Sequence, residues 1–268
     1  MAENEIATGV EPEGANAAGG EVAATGYDAD YAARLAERRA RLLELVGEAA
    51  RESGRRPEDV LVCAVSKTVD VPQVAAARAA GYASFAENRP QELERKLAAL
   101  GGDPAFEGVR WHLIGNLQEN KINHVLACAP ALIHSIASPE LARAVSKRAE
   151  ARGVRQDVLL EVNVSGEESK SGMTPAGLRS CFDEVAVLPG IRVRGLMTMA
   201  PQGDPGRARE TFAGLRELRD GIRAARPDLA SFTELSMGMS EDFGEAVREG
   251  ATIIRLGRIA FDPAFPLG

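Results

Sequence analysis

The chain has 268 residues, 45% of them hydrophobic, and a net charge of -7 from 32 basic and 39 acidic side chains. This length suits one substantial domain, and the lack of a basic cluster interleaved with aromatic residues argues against a nucleic-acid partner. No run of about 18 apolar residues is present that would span a bilayer.

The first 26 residues contain five Glu, no Lys or Arg, and no apolar periodicity. We expect residues 1–26 to be a disordered acidic tail and residues 27–268 to form the folded domain. The tail lacks the basic and apolar regions of a secretory signal, so we expect a cytoplasmic protein. We also expect a monomer with reduced, buried thiols, because the three cysteines lack metal-like spacing and no large apolar patch is unexplained.

Residues 27–52 place apolar side chains at three- and four-residue spacing, which predicts an amphipathic helix. Eight short apolar runs follow, and we predict that each is a strand. They are VLVCAVS, ASFAEN, WHLIGN, ALIHSI, DVLLEVNV, IRVRGLMTM, FTELSMG and TIIRLG. Seven helical patterns lie between them, and several open with Pro or Ser and close with Gly.

Strict alternation of strand and helix indicates parallel pairing, and apolar strands indicate burial on both faces. Eight such units predict a single (β/α)8 TIM barrel of the α/β class. The alternative is an open doubly wound sheet. No G-x-G-x-x-G follows the first strand, which disfavours the dinucleotide-binding version of that fold.

Lys67 follows the first strand, at the end where barrels carry their functional groups. By period-two alternation it shares a face with Val65 and Cys63, which predicts that it points into the barrel mouth. A lysine amine there can attack an aldehyde. On its own, however, the residue is more typical of a lysine that extends to solvent and caps a strand end, and this interpretation is favoured until other features are considered.

The ends of strands seven and eight are rich in hydrogen-bond donors. LSMGMS contains Ser236 and Ser240, and RLGR contains Arg255, Gly257 and Arg258. Barrel phosphate sites often use the loops after these two strands, so a phosphate ester is the predicted ligand. Ordinary turn glycines and N-cap serines are the alternative. Closure of the barrel would place strand eight beside strand one, and so this site beside Lys67.

Two buried amides are further candidates for ligand contact. Asn163 follows strand five with inward parity, and Asn88 ends strand two. Such amides satisfy backbone groups at least as often as they bind ligands. His112 is ambiguous between core and site, while His124 and His134 are interpreted as structural because no carboxylate or cysteine pattern accompanies them.

Seven ordered motifs carry a resemblance to a known family, the pyridoxal phosphate homeostasis proteins. They are VSKT at Lys67, AENRPQE, WHLIGNLQENK, SKSGM, GLMTM, LSMGMSEDF and RLG. The resemblance spans about Tyr31 to Asp262. The family barrel is similar to the N-terminal domain of fold-type III enzymes such as alanine racemase.

This resemblance implies pyridoxal 5'-phosphate (PLP) as the cofactor, held as a Schiff base on Lys67. It implies that Ser236, Gly257 and the amide of Arg258 contact the phosphate, and that Arg255 faces the pyridine nitrogen. Asn88 is implied beside the ring. No catalytic residue and no metal ligand are expected.

The chain departs from the family pattern at three positions. Arg89 replaces a tyrosine, Arg258 replaces a small hydroxylic residue, and Asp262 replaces a glycine. None of these changes affects Lys67. They concern the detailed geometry of the phosphate site, where Arg258 either contacts the phosphate or points to solvent.

The predicted function is storage or delivery of PLP in intracellular homeostasis, with PLP-dependent apoenzymes as candidate partners. The main alternative is a single-domain racemase-like enzyme acting on amino acids, and a third is a cofactor-free lysine aldolase. Racemisation needs a base on each face of the substrate, and no tyrosine follows a strand here. An arginine at the pyridine nitrogen also weakens the ring as an electron sink. We therefore expect a non-catalytic carrier.

Overall fold

The computed structural model describes residues 26–267, so all but the last residue of the predicted acidic tail lies outside the described residues. Eight strands form, as predicted. They are β1 (Leu61–Val65), β2 (Ser84–Glu87), β3 (Arg110–Leu113), β4 (Leu132–Ile136), β5 (Gln156–Glu161), β6 (Ile191–Met197), β7 (Glu234–Ser236) and β8 (Ile253–Leu256).

The predicted N-terminal helix is present as α1 (Ala29–Glu52), capped by the Asp28 side chain. The seven helices that link the strands are α2 (Val71–Ala79), α3 (Pro90–Leu100), α4 (Ile122–Ala127), α5 (Pro139–Glu150), α6 (Pro175–Ala186), α7 (Pro205–Ala225) and α8 (Phe243–Arg248). A short helix, α9 (Arg258–Phe261), follows β8. Single 3-10 turns lie at Pro57–Asp59, Pro104–Phe106 and Glu119–Lys121. Several of these helices begin with proline, which has the required φ and lacks only an amide that would be unpaired there.

The strands pair in parallel in chain order and β8 closes on β1. The TIM barrel prediction is therefore confirmed, and the open-sheet alternative is excluded. Cys63 on β1 pairs with Arg255 on β8. This register brings the residues after both strands, Lys67 and Gly257, to the same mouth of the barrel.

The apolar residues divide between two regions. The larger core lies between the strands and the helices and includes Val74, Phe85 and Phe212. A second cluster fills the barrel interior and contains Cys63, Val65 and Leu159. Because Cys63 and Val65 belong to the interior while Ala64 belongs to the outer core, the parity predicted for β1 is confirmed.

Arg38 connects α1 to the segment after β8. Its buried guanidinium donates to the carbonyl oxygens of Ile259 (2.6 Å) and Pro263 (3.1 Å), and also to that of Phe265. Burial lowers the pKa of Arg38 below its usual value. The helix that precedes the barrel thus fixes the chain that follows it.

Across residues 26–267, no helix combines the length and apolar character required to cross a bilayer. Within the same range, no three His, Cys, Asp or Glu side chains are arranged to hold a metal ion. The three cysteines are unbridged; Cys63 is buried, whereas Cys128 and Cys181 are only partly buried. The expectation that all three are buried is therefore wrong for two of them.

Candidate functional site

A cavity of about 570 Å³ opens at the carboxyl ends of the strands. Five of the seven residues predicted to bind the cofactor line it: Lys67, Asn88, Arg255, Gly257 and Arg258. Val65, Ile114, Met197 and Met239 supply apolar walls. A largely apolar pocket with a few polar groups is typical of a small-molecule site.

Lys67 lies in the turn that leads from β1 to α2. Its side chain is exposed at the cavity and makes no hydrogen bond or ion pair with any of residues 26–267. The backbone of the turn is held by Ser66, whose amide donates to the Ala86 carbonyl (3.0 Å), and by Val69, whose amide donates to the Ser66 carbonyl (3.1 Å). These bonds hold the backbone at Lys67 in place and leave its amine free to meet a ligand in the cavity.

Asn88 lines the cavity at the end of β2. Its backbone is in close contact with Gly115, where an added Cβ would lie 2.0 Å from the Asn88 carbonyl oxygen. Only glycine fits at that position, so the two loops are held together at the cavity wall.

Asn163 is used within its own loop and does not line the cavity. Its amide donates to the carbonyl oxygens of Glu167 (2.8 Å) and Lys170 (3.2 Å), and its oxygen accepts from the Gly166 amide (3.0 Å). This arrangement resembles the backbone-satisfying role that buried amides often have.

Ser236 is fully buried beneath the cavity and joins a hydrogen-bonded chain through the barrel interior. Arg255 Nη1 donates to Ser236 Oγ (2.7 Å), which lies 2.9 Å from His134 Nδ1. His134 Nε2 in turn lies 2.9 Å from His112 Nδ1. The chain thus spans four strands: β8, β7, β4 and β3.

The tautomers in this chain follow from counting protons. Arg255 can only donate, so the Ser236 hydroxyl oxygen accepts from it and the hydroxyl donates its hydrogen bond to His134 Nδ1. His134 Nε2–H then donates to His112 Nδ1. The reverse direction would leave the Ser236 hydroxyl proton without an acceptor among the described residues. His112 Nε2 has no partner within them either.

Both imidazoles are held neutral. Burial lowers the pKa of His112 to about 4 and lowers the pKa of His134 well below its usual range. The buried charge in this interior network therefore resides on Arg255, and burial lowers the pKa of Arg255 as well.

Arg255 also faces carboxyl groups. Its Nη2 donates to the Thr198 carbonyl (3.0 Å), and Asp242 and Glu161 lie near enough to favour its charge. Burial raises the pKa values of both carboxyl groups, against the opposing effect of the Arg255 charge. The guanidinium is thus fixed at the cavity floor by contacts on several sides.

The segment after β8 presents backbone to the cavity. A Cβ built on Gly257 would meet only Val65, at 3.8 Å, so the packing of the protein does not require glycine there. A ligand that approaches the backbone closely would require glycine at position 257. The side chain of Ser240 also lines the cavity and accepts a hydrogen bond from the Ile259 amide (3.3 Å).

The Arg258 side chain turns away from this backbone. Its guanidinium forms an ion pair with Glu241 at the protein surface and lies 4.8 Å from the ring centre of Phe265. The two alternatives for Arg258 were contact with the phosphate and exposure to solvent. In the structure the side chain is mostly exposed and contacts Glu241 and Phe265.

Three features escaped the sequence reasoning. The first is the hydrogen bond between the buried His134 and Ser236, which is compatible with the structural role expected of His134. The second is Ser240, which lines the cavity although it is not among the predicted cofactor-binding residues. The buried side chain of Lys96 on α3 contacts the turn that holds Lys67. A lysine close to the apolar helix positions Leu93 and Leu100 was the available signal for this last contact.

Comparisons with known proteins identify the relatives of this chain. The family model described as "Alanine racemase, N-terminal domain" matches residues 48–262. The pyridoxal phosphate homeostasis protein of Aquifex aeolicus is 40% identical over 226 residues, which are 84% of this chain and 96% of that protein.

Comparison with solved structures leads to the same relatives. An unknown protein from Bifidobacterium adolescentis has a TM-score of 0.83 and 38% identity, covering 90% of this chain and 100% of that one. PipY of Synechococcus elongatus, solved with PLP bound, has a TM-score of 0.73 and 35% identity, covering 85% of this chain and 99% of that one. The resemblance seen in the sequence is confirmed: this chain belongs to the pyridoxal phosphate homeostasis protein family, within the alanine racemase N-terminal domain fold.

Proposed function

We propose that this protein binds PLP covalently on Lys67 and serves in its homeostasis as a store or a donor to apoenzymes. The observation that carries the proposal is the placement of a lysine amine, a buried guanidinium and open glycine backbone on one cavity, at Lys67, Arg255 and Gly257. The PLP bound to the related PipY supports the choice of ligand.

The residues present fit this cofactor. PLP supplies an aldehyde that condenses with an amine, with loss of water. The Lys67 amine has no partner among residues 26–267, so it is available for that bond. Gly257 leaves room for a phosphate close to the backbone, and we assign the phosphate to the amides at positions 257 and 258.

Ser236 and Asn163 do not line the cavity, so we propose supporting roles for them in place of direct contact with the cofactor. Ser236 orients Arg255 from below the cavity, and Asn163 shapes the loop after β5. We assign Arg255 to the pyridine nitrogen. Because a guanidinium only donates, it pairs with an unprotonated nitrogen, and this limits the stabilisation of a carbanion.

Apart from Lys67, the candidate bases at the cavity are the carboxyl groups of Asp204, Glu241, Asp242 and Glu245, and a carrier role is favoured over a racemase because they are not joined by a second base of another type among residues 26–267. Within residues 26–267, no histidine or tyrosine lines the cavity. Tyr31 donates to the Phe261 carbonyl (2.5 Å), and Tyr82 is buried in the outer core. Racemisation requires proton transfer on both faces of the substrate.

The test is mass analysis of peptides after the full-length protein is mixed with PLP and reduced with borohydride. We expect one adduct, on the peptide that contains Lys67, and none in Lys67→Ala. Lys170→Ala is the matched control, since Lys170 lies on a neighbouring loop but does not line the cavity. An adduct on another peptide in the wild-type protein, or none, would refute the proposal.

Two further measurements separate the candidate functions. Recovery of activity by a PLP-dependent apoenzyme, after mixing with the loaded protein, would support delivery. Loss of optical rotation from a pure amino acid, abolished in Lys67→Ala, would establish the racemase-like alternative.

A further inference from the structure

A buried lysine lies beneath the turn that carries Lys67. Lys96 on α3 is 1% exposed, and its ammonium makes three hydrogen bonds. It donates to the carbonyl oxygens of Ser66 (2.7 Å) and Val69 (2.8 Å) and to the carboxylate of Glu87 (2.5 Å). All three protons of the ammonium are therefore used.

These contacts hold both ends of one turn. Ser66 and Val69 flank Lys67 and Thr68, and the Val69 amide closes the turn on the Ser66 carbonyl. The Ser66 hydroxyl donates to the same Glu87 carboxylate oxygen that Lys96 contacts (2.6 Å). One cation and one carboxylate, both buried, thus tie the turn to the end of β2.

Stability alone does not explain a buried ion pair in this place. Desolvating two charges is costly, and a well-packed apolar pair of similar size is often as stable or more so. An apolar pair, however, could not bind the two carbonyl oxygens of the turn. Because the Lys67 side chain has no partner among residues 26–267, the turn fixes where this side chain begins and therefore the region that its amine can reach.

We propose that Lys96 is a positioning residue, which holds the Ser66–Val69 turn so that the Lys67 amine faces the cavity for covalent binding. The inference rests on the proposed function, because it assumes that an aldehyde cofactor reaches Lys67. Lys96 is buried beneath the turn and acts through it, without touching the ligand.

The experiment compares variants by two readouts. The first is the rate at which PLP is lost from the loaded, full-length protein to a large excess of scavenger; the second is the fraction trapped on the Lys67 peptide by borohydride at limiting PLP. In Lys96→Met we expect loss to be faster by on the order of 10- to 100-fold, since small displacements of a reacting group have effects of this size.

Two variants separate positioning from folding. The double variant Glu87→Leu/Lys96→Met replaces the ion pair with apolar side chains, so it should unfold at a midpoint closer to wild type than Lys96→Met does while losing PLP as fast as Lys96→Met. Glu87→Gln keeps an acceptor for the Ser66 hydroxyl, and Lys96 can still donate to the Ser66 and Val69 carbonyl oxygens. The rate of PLP loss from this variant should therefore stay close to that of the wild type. Arg95→Met is the matched control, because Arg95 on the same helix reaches Asp70 only at the surface (2.8 Å).

The outcomes are distinguishable. A folded double variant that keeps the wild-type rate and trapped fraction would overturn the positioning role while leaving the proposed function intact. Failure of the wild-type protein to form any Lys67 adduct would overturn both. Should Lys96→Met not fold, the double variant decides the question by the same two readouts.

Discussion

Lowering the pH from 7.5 to 5.0 should destabilise the protein through the neutral histidines inside its barrel. The pKa of His112 is lowered by burial from 6.5 to about 4, and burial also lowers the pKa of His134 well below its ordinary value. Between these folded-state values and 6.5, the unfolded chain binds more protons than the folded chain. The free energy of unfolding therefore falls as pH drops through this window.

The size of the effect follows from the same values. At pH 5.0, about 1.5 pH units below the unfolded pKa, the buried His112 costs about 2 kcal/mol, at 1.36 kcal/mol per unit. His134 acts in the same direction. The His112 contribution alone is a substantial share of the roughly 5–15 kcal/mol that stabilises a typical domain. Glu161 and Asp242 act in the opposite direction, because burial raises their pKa values and the folded state binds their protons first.

A variant isolates the histidine contribution from that of the carboxyl groups. Urea unfolding of wild-type protein and His112→Asn is measured at both pH values. Asparagine keeps an amide near the position of Nδ1 but does not titrate, so the pH-dependent loss should be smaller by about 2 kcal/mol. His124→Asn is the control, since His124 lies partly exposed on α4 beside Glu94. Equal pH dependence in wild type and His112→Asn would refute the reasoning.

Four substitutions test other features of the structure. Gly257→Ala should fold normally, because its Cβ meets nothing closer than 3.8 Å, but should weaken PLP binding measured by fluorescence titration about 10-fold or more. Arg258→Thr removes a surface ion pair and an exposed contact with the Phe265 ring, so its free energy of unfolding in urea should change by less than about 2 kcal/mol; a larger loss would show that the side chain has another role. Gly195→Ala places a Cβ 1.9 Å from the Glu234 carbonyl and should cost more than about 4 kcal/mol, whereas Gly221→Ala on α7, with open space around it, should raise thermal stability slightly.

The barrel could be predicted because the sequence patterns that specify its strands and helices are local and periodic. Apolar runs of strand length alternate with helical patterns, and period-two alternation along β1 is sufficient to direct Lys67 toward the interior. Closure then follows from eight units, and with it the pairing of Cys63 with Arg255. For the same reason, five predicted residues share one cavity.

The remaining contacts depend on residues far apart in the sequence. His134 and Ser236 are separated by 102 positions and meet only because both face the barrel axis. Lys96 lies among charged neighbours in ELERKL, and only its burial against Glu87 distinguishes it from a surface lysine. Asn163 has inward parity along β5, but the loop that follows turns its amide onto backbone carbonyls. Loops lack the regular side-chain spacing of strands and helices, so the sequence does not predict such a contact.

The two groups proposed to hold the cofactor are fixed by separate networks on adjacent strands. Arg255 is held from below through Ser236, and the turn bearing Lys67 is held from the side through Lys96. Because β1 and β8 pair directly, the sheet sets the spacing between Arg255 and the backbone that leads to Lys67. Moving these two strands apart would break the barrel, so it is not a route by which the ligand could leave. We therefore expect release to require cleavage of the bond to Lys67, by water or by a competing amine, and a free primary amine should accelerate PLP loss in proportion to its concentration.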